Sequence, residues 1–352
     1  MSKPTSTRPI VIGHRGACGY VPEHTLASYF IAIQQGADFV EPDLVMTKDA
    51  VLIARHENEI GGTTNVADHL EFAPRRKTKV IDGAAVEGWF TEDFTLKELK
   101  TLRSRERIAD LRPDNMRFDG QFEITTLDEI LALVRGVESQ RAARAELLGL
   151  PVPAPIGVYT ETKHPTYFSK LGLAMEEPLI AALARWGFAE PPAPVFLQSF
   201  EVANLIALSA LTDLPIVQLV EASGQPYDFK LSGDARSYAD LMTPAGLAGI
   251  ARYAHAIGVD KTLIIPRNAD ESLGRPTALV ADAHAQDLLV HGWTFRAENY
   301  FLPRKFRSSS ARARRGNLAA ELDAYLATGM DGFFTDQPDL GVRARDAFIA
   351  KR

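Results

Sequence analysis

The chain has 352 residues, of which 46% are hydrophobic and 24% charged, and its formal net charge at pH 7 is −6. This composition supplies material for a sizeable apolar core and lacks the bias of disordered chains. The net negative charge gives no overall attraction to nucleic acid or to an anionic membrane surface, so any anion recognition must be local. The length suits one α/β domain, since barrels of this class often run to about 250 residues and accept insertions.

Targeting signals are not evident. The residues before Ile10 contain no apolar core of a signal peptide, so we expect a cytoplasmic protein as the sequence is written. A periplasmic location stays open if an upstream signal is missing. We expect no stable membrane insertion, because no apolar run reaches the roughly 18 residues that a spanning helix needs. The single cysteine, Cys18, suits a reducing compartment without excluding an oxidising one.

Short apolar runs alternate with helical patterns along the chain. The predicted elements are strand 9–13, helix 22–36, strands 37–46 and 51–54, helix 126–140, strand 156–161, helix 176–187, strand 195–198, helix 201–210, strand 216–220, helix 244–256, strand 262–265, helix 276–287, strand 288–295, helix 317–328 and strand 332–334. Strands separated by helices indicate a parallel sheet, and about eight of them close a (β/α)₈ barrel. A doubly wound open sheet is the alternative, but no dinucleotide fingerprint follows any strand.

The segment 58–121 departs from this alternation. It holds polar and glycine-rich pieces around one short helical pattern at 95–102. Loops of this length are uncommon inside a compact domain unless they are functional. We therefore interpret the segment as an insertion that caps a site, within a single domain that spans residues 1–352.

Ionisable side chains gather at the carboxyl ends of the first four predicted strands. In chain order they are His14, Arg15, Glu41, Asp43, His56, Glu161 and Lys163. In a barrel these ends share one face, which is where active sites are built. Glu41 and Asp43 are two residues apart, as are Glu161 and Lys163, so each pair points to one side of an extended chain.

The three carboxylates indicate a metal site. Glu41, Asp43 and Glu161 would repel one another in one cavity unless a cation neutralised them. Oxygen ligands favour Ca²⁺ or Mg²⁺ over zinc, so we predict one divalent cation and leave the choice between the two open. The alternative is that each pair forms an ordinary salt bridge, as Glu161 with Lys163. The coincidence of these features at successive strand ends favours a functional site.

The remaining polar residues suit phosphate esters. Histidine changes charge near neutral pH, so His14 and His56 are candidates for the base and the acid of one displacement. Arg15 offers a planar fork that matches phosphate oxygens. Phe200 and Trp293, with Phe301, are candidates for an apolar wall beside the substrate, although aromatic residues in barrels are more often core.

Nine short motifs carry a resemblance to a known family. In chain order they are His14-Arg15-Gly16, Pro22-Glu23-His24-Thr25, Glu41-x-Asp43, Thr47-x-Asp49, His56, Glu161-x-Lys163, Gln198-Ser199-Phe200, Trp293-Thr294-Phe295 and Asp331-Gly332-Phe333-Phe334-Thr335-Asp336. Together they resemble the glycerophosphodiester phosphodiesterases over about residues 10–340. That family has a (β/α)₈ barrel and hydrolyses glycerophosphodiesters to glycerol 3-phosphate and an alcohol. His24 stands where many members have Asn, and it resembles the bacterial glycerol-ester branch.

The resemblance implies a role for each matching residue. His14 and His56 would be the general acid and base, and the carboxylates Glu41, Asp43 and Glu161 would bind the metal. Arg15 and Lys163 would hold the phosphate. In the proposals made for the family, a neighbouring glycerol hydroxyl attacks phosphorus to give a cyclic phosphate, which water then opens. The insertion 58–121 occupies the place of the family's extra subdomain, where substrate choice would be decided.

We therefore expect a metal-dependent phosphodiesterase whose partner is a small-molecule phosphodiester such as glycerophosphocholine or glycerophosphoethanolamine. One alternative is a lysophospholipase D-like enzyme of the same barrel type, and another is a non-catalytic organophosphate-binding protein. A thiol nucleophile formed by Cys18 with His24 is disfavoured. The oligomeric state is left open.

Overall fold

The computed structural model describes residues 8–189, 191 and 193–351. The strands in this part of the chain are β1 (Ile10–His14), β2 (Phe39–Glu41), β3 (Asp43–Met46), β4 (Leu52–Ala54), β5 (Lys77–Ile81), β6 (Ala84–Gly88), β7 (Gly157–Thr162), β8 (Val195–Ser199), β9 (Ile216–Val220), β10 (Ala256–Asp260), β11 (Leu289–Phe295) and β12 (Gly332–Thr335). The α-helices are α1 (Leu26–Gln34), α2 (Leu96–Leu99), α3 (Leu127–Leu148), α4 (Pro165–Lys170), α5 (Glu176–Arg185), α6 (Val202–Leu211), α7 (Tyr227–Ser232), α8 (Tyr238–Leu241), α9 (Pro244–Ile250), α10 (Lys261–Ile264), α11 (Leu279–His284), α12 (Leu318–Leu326) and α13 (Pro338–Ala350). Short 3₁₀ helices lie at Val66–Asp68, Leu70–Arg75, Thr91–Asp93, Pro113–Phe118 and Arg304–Phe306.

Eight parallel positions close into a ring. The strand order is β2-β1-β12-β11-β10-β9-β8-β7, and β2 also pairs with β7, which completes the circle. Every pairing around the ring is parallel. After Pro42, β3 continues the line of β2 and also pairs with β7. The predicted (β/α)₈ barrel is confirmed.

Apolar side chains fill the inside of the barrel below its carboxyl ends. Ile12, Tyr159, Val217 and Phe334 form part of a buried interior cluster. Tyr159 stacks on Phe196 with ring centroids 4.9 Å apart. A larger cluster joins the outside of the strands to the helices. Because the interior is packed rather than open, a cavity lined by charged side chains lies above it, at the carboxyl ends.

Strand register places the predicted site residues side by side in two sets. His14 is paired with Glu41 between β1 and β2, and Asp43 with Glu161 between β3 and β7. Glu161 is in turn paired with Gln198 on β8. Residues in register on adjacent strands present their side chains at the same height. The barrel therefore assembles a continuous polar layer from segments far apart in the sequence.

The predicted strand 262–265 is wrong. The strand is β10, which the predicted helix 244–256 overlapped, and the β-branched run that follows it belongs to the helical turn α10. Asp260 starts that turn, since its Oδ1 accepts a hydrogen bond from the Thr262 backbone N–H at 2.7 Å. Gly258 weakens the local strand signal, but a side chain there would lie 2.6 Å from Leu219 Cδ2. Tertiary packing overrode the propensity of the isolated sequence.

The third predicted strand has a different role from the one assigned to it. β4 is antiparallel to β3, with Leu44 opposite Ala54, and it lies outside the parallel ring. His56 is therefore carried back to the site by a hairpin and does not follow a barrel strand. The helix α13 was not predicted; it packs beside α12 and β1.

Residues 58–121 form an irregular layer between β4 and α3. This layer contains the antiparallel hairpin of β5 and β6, several 3₁₀ turns and the short helix α2. Its hairpin reaches across the barrel face, where Asp82 lies 2.5 Å from His164 Nδ1. Among the residues described, none of the helices combines the length and the apolar character needed to cross a bilayer.

The interior histidine of β11 predicts a pH dependence of stability. Burial lowers the pKa of His291 to about 4, and Asp331 opposes that shift. The unfolded chain, with a histidine pKa near about 6.5, binds this proton more readily, so stability should fall as pH drops from about 6.5 to about 4. We expect His291→Gln to reduce the loss between about pH 7 and about pH 5 by on the order of 2 kcal/mol. Urea unfolding of the wild type and the variant at both pH values measures this difference in stability. An unchanged pH dependence in the variant would contradict the prediction.

Candidate active site

His14 ends β1 with one ring nitrogen committed to a carboxylate. Its Nδ1 lies 2.6 Å from Asp336 Oδ1, and the pair is buried. Although burial opposes ionisation, Arg296 and Arg112 hold the pKa of Asp336 well below its usual range. An ionised carboxylate can only accept, so Nδ1 carries the hydrogen and Nε2 is left for chemistry. Burial and Arg15 lower the pKa of His14 to about 4, so the ring is neutral at pH 7.

His56 has the same arrangement. Its Nδ1 is hydrogen-bonded to Glu57 Oε1, and about a third of its side chain is exposed to the cavity. Burial, Arg15 and Lys163 lower the pKa of His56. Both histidines are thus neutral at pH 7, with Nδ1 protonated and Nε2 free to accept a proton.

The three predicted metal ligands meet. Oxygen atoms of Glu41, Asp43 and Glu161 all lie within 4.8 Å of one another, and the three side chains are buried. Burial, followed by the charges of Asp43 and Glu161, raises the pKa of Glu41 well above its usual range. Burial likewise raises the pKa of Glu161. Such mutual repulsion is what a bound cation would relieve.

The donor set fits a hard divalent cation. Asp43 Oδ1 is buried and accepts no hydrogen bond from any residue that the structure describes. Lys163 Nζ lies 3.4 Å from this oxygen and 2.6 Å from Glu161 Oε1. The salt bridge between Glu161 and Lys163, predicted as the alternative, is therefore present. A single ammonium group cannot, however, neutralise three ionised carboxylates. Carboxylate oxygens without hydrogen bonds are the ligands that Ca²⁺ and Mg²⁺ take.

Arg15 is held in place through its backbone and its side chain. It adopts a left-handed conformation with φ of 55°, and its N–H donates to Glu41 Oε2 at 2.8 Å. Its guanidinium lies 3.1 Å from Glu23 Oε2 and 3.3 Å from Asp43 Oδ2. Burial opposes the charged form, but Glu23 and Asp43 outweigh it and raise the pKa of Arg15. Arg15 is a permanent positive charge beside the carboxylates.

A cavity of about 1170 Å³ opens above this layer. Phe200 and Trp293 line it, with their rings in a T-shaped contact 6.0 Å apart, and Phe301 lies farther along the wall. Lys163 Nζ is 5.8 Å from the centre of the Phe200 ring. The predicted aromatic residues thus border the same space as the charged ones.

His24 and Cys18 have supporting positions. His24 is fully buried, with Nδ1 2.7 Å from the Tyr29 hydroxyl and Nε2 3.0 Å from Asp43 Oδ2. It therefore orients a carboxylate instead of facing the cavity. Burial raises the pKa of the Cys18 thiol, and its sulfur lies 3.6 Å from Arg112 Nη1. Both ring nitrogens of His24 are engaged by Tyr29 and Asp43, so Cys18 and His24 do not form a thiol–histidine pair.

Several contacts of the site were not predicted from the sequence. Asp336 and Glu23 stood in recognised motifs but received no role. Arg107 and Arg112 come from the irregular segment and bind those two carboxylates. Nothing in the local pattern distinguishes these two arginines from the surface arginines around them, so no sequence signal was available for them.

Two histidines, an arginine, a lysine and a carboxylate triad on the carboxyl face of a barrel define a site of the phosphodiester-hydrolase class. The sequence profile of the Glycerophosphoryl diester phosphodiesterase family matches residues 14–340. The chain therefore belongs to this family, and the predicted enzyme class, a phosphoric diester hydrolase, is confirmed at the level of the family.

Curated relatives agree with this assignment, and solved structures share the fold. The chain is 35% identical to glycerophosphodiester phosphodiesterase GDPD6 of Arabidopsis thaliana, covering 95% of this chain and 85% of the relative. It is 28% identical to a glycerophosphodiester phosphodiesterase of Haemophilus influenzae, covering 95% and 88%. Its fold is similar to a putative glycerophosphoryl diester phosphodiesterase of Silicibacter pomeroyi, with a TM-score of 0.66, 21% identity and coverage of 98% and 95%. It is also similar to an Oleispira antarctica phosphodiesterase solved with the product sn-glycerol-3-phosphate, with a TM-score of 0.57, 21% identity and coverage of 97% and 98%.

The position of Cys18 predicts an inert thiol. Because the thiol is buried and its pKa is raised, the folded protein should react with a thiol reagent at about pH 8 far more slowly than the unfolded protein. Cys18→Ala should retain phosphodiesterase activity within about threefold, since no proton transfer depends on the thiol. Rapid labelling of the native chain, or loss of activity in a folded Cys18→Ala variant, would contradict this.

Proposed function

We propose that this protein hydrolyses water-soluble glycerophosphodiesters to glycerol 3-phosphate and an alcohol by histidine acid–base catalysis. The observation that carries the proposal is that His14 and His56 each keep Nε2 available beside Arg15 and the carboxylate triad. The product bound to the Oleispira antarctica phosphodiesterase, sn-glycerol-3-phosphate, supports the same choice of product here.

A divalent cation, Ca²⁺ or Mg²⁺, is part of the proposal. Glu41, Asp43 and Glu161 would hold it, and when bound it would neutralise charge on the phosphoryl oxygens. Arg15 and Lys163 are proposed to bind those oxygens as well, Arg15 through its fork and Lys163 as a point charge. The cation, Arg15 and Lys163 together neutralise the charge of the three carboxylates. The substrate phosphate therefore enters a site that does not repel it.

The histidines are proposed to move the protons. Nε2 of one neutral histidine accepts the proton of the substrate's neighbouring glycerol hydroxyl as that oxygen attacks phosphorus. The bond from phosphorus to the alcohol oxygen breaks, and the other histidine, entering protonated, donates a proton to the departing alcohol. Water then opens the cyclic phosphate with the roles reversed. The lowered histidine pKa values favour the base, so substrate binding must raise the pKa of the histidine that acts as the acid, which takes its proton from solvent.

Part of the cavity lining suits a cationic alcohol. Glu221 and Asp260 line the cavity, as do Trp293 and Tyr238. Burial, followed by the charge of Asp260, raises the pKa of Glu221. Carboxylates and aromatic faces attract ammonium groups. This supports choline or ethanolamine as the alcohol portion of the substrate.

The central test is release of glycerol 3-phosphate from glycerophosphocholine. We expect a chelator to abolish activity and Ca²⁺ or Mg²⁺ to restore it. His14→Ala and His56→Ala should each lower kcat by about 10²- to 10⁴-fold, the usual contribution of a general acid or base. Thermal unfolding temperature and the Cys18→Ala variant serve as controls.

Three results would overturn the assignment. Full activity in both histidine variants would refute the catalytic roles. Tight binding of the diester without turnover at any metal concentration would indicate a binding protein instead. Faster turnover of a lysophospholipid than of glycerophosphocholine would indicate a lysophospholipase D-like enzyme.

The proposed selectivity is tested separately with Glu221→Gln. We expect KM for glycerophosphocholine to rise about fivefold, as for a partly screened ion pair of about 1 kcal/mol. KM for glycerophosphoglycerol, whose alcohol is uncharged, should stay unchanged. Glu87→Gln is the matched control, because Glu87 pairs with Arg76 at 3.0 Å on the exposed hairpin. Equal effects of Glu221→Gln on both substrates would rule out a cation subsite at this residue.

A further inference from the structure

The irregular segment 58–121 places one arginine between two carboxylates of the site. Arg107 donates from Nε and Nη2 to the two oxygens of Glu23, at 2.8 and 2.6 Å. Its Nη1 lies 2.6 Å from Glu57 Oε2. Glu23 is buried, whereas Glu57 and Arg107 are partly exposed. A planar guanidinium can span two carboxylates in this way, and a lysine ammonium cannot reproduce the geometry.

Each carboxylate in turn contacts a residue of the proposed chemistry. Glu57 Oε1 accepts the hydrogen bond from His56 Nδ1, while its other oxygen faces Arg107. Glu23 Oε2 also accepts a hydrogen bond from Arg15 Nη1 at 3.1 Å. The guanidinium of Arg107 therefore lies one carboxylate away from a proposed acid–base histidine and from a proposed phosphate ligand.

The two histidines differ in how firmly their carboxylates are held. Asp336, the partner of His14, is buried and contacts both Arg112 and Arg296. Glu57, the partner of His56, has 38% of its side chain exposed, and in the described part of the chain Arg107 is the guanidinium that pairs with it. Water stabilises a carboxylate with this exposure about as well as a hydrogen bond from a histidine does. Another contact must therefore hold the side chain of Glu57 in position. Arg107 is the contact that fixes it.

We propose that Arg107 is a positioning residue that holds Glu57, and through it the Nδ1–H tautomer and the orientation of His56. The same guanidinium neutralises Glu23. The attraction of Glu23 for Arg15 is therefore weaker, and Arg15 stays available to bind the phosphate. The inserted segment is then part of the acid–base apparatus as well as a cap. This inference rests on the proposed function only for its kinetic readout.

The kinetic test is a double-mutant cycle of Arg107→Met, Glu57→Gln and the double variant, at saturating metal. Outer contacts of this kind typically contribute 10- to 100-fold, so each single variant should lower kcat for glycerophosphocholine by about that factor. We call the chain of contacts from Arg107 through Glu57 to His56 the relay. Because both substitutions interrupt this relay, the double variant should be about as slow as the slower single variant. Arg107→Lys should recover part of the rate, since it keeps the charge but loses the fork.

A spectroscopic test does not need turnover. The ¹⁵N shifts of His56, assigned with His56→Gln, should report the Nδ1–H tautomer in the wild type and a mixture of tautomers in Arg107→Met. This readout separates the two proposals: an inactive wild type with the expected tautomer change would refute only the proposed function. A wild type active on glycerophosphocholine, with His56 and kcat unaffected by Arg107→Met, would refute only the relay.

The control is Arg105→Met, two residues away in the same segment. Arg105 makes an exposed ion pair with Asp68, so its removal should leave kcat within about threefold of the wild type. Additive losses in the double-mutant cycle would overturn the proposal, as would an Arg105→Met effect equal to that of Arg107→Met. If Arg107→Met fails to fold, the same measurements are made on Glu57→Gln and Arg107→Lys. The relay is refuted if kcat and the His56 tautomer are unchanged in both of these variants.

Discussion

Three carboxylates buried within 4.8 Å of one another are the constraint on which the rest of this site depends. Asp43 and Glu161 lie side by side because the parallel register of β3 and β7 pairs them, and Glu41 lies two residues before Asp43 with its side chain on the same face. Such a cluster is unfavourable by itself, since burial penalises each charge and each charge repels the others. Its neighbours are accordingly cationic or hydrogen-bond donors. Lys163, Arg15 and the ring of His24 all contact Asp43, and the proposed divalent cation completes the compensation.

Around this centre, positive and negative side chains alternate outward. Arg15 touches the triad on one side and Glu23 on the other, and Arg107 lies beyond Glu23. His14 leads in the same way to Asp336 and then to Arg112. Each carboxylate is shared between an inner hydrogen-bond donor and an outer arginine, so the orientation of the inner group depends on the outer one. The segment 58–121 supplies the outer arginines, so charge joins it to the barrel face in addition to the apolar cluster that it shares with the barrel.

Much of this arrangement was visible in the sequence. The alternation of apolar runs predicted the barrel, and acids and bases two residues apart at strand ends predicted a shared polar face. The errors have local causes. Gly258 disguised β10, because a glycine that makes room for Leu219 carries no strand signal of its own. The predicted strand 51–54 was grouped with the strands whose carboxyl ends share the barrel face, because a short apolar run does not show the direction in which it pairs.

The sequence by itself determined the chemical inventory and the periodicity that closes the barrel, because both depend on residue type and short-range spacing. Only the tertiary structure decided which charges share a contact. Arg107 with Glu57, and Arg112 with Asp336, join residues separated by 50 and 224 positions, and no local pattern specifies such pairs. They form because burial makes an uncompensated charge costly, and the barrel and the inserted segment bring opposite charges within reach.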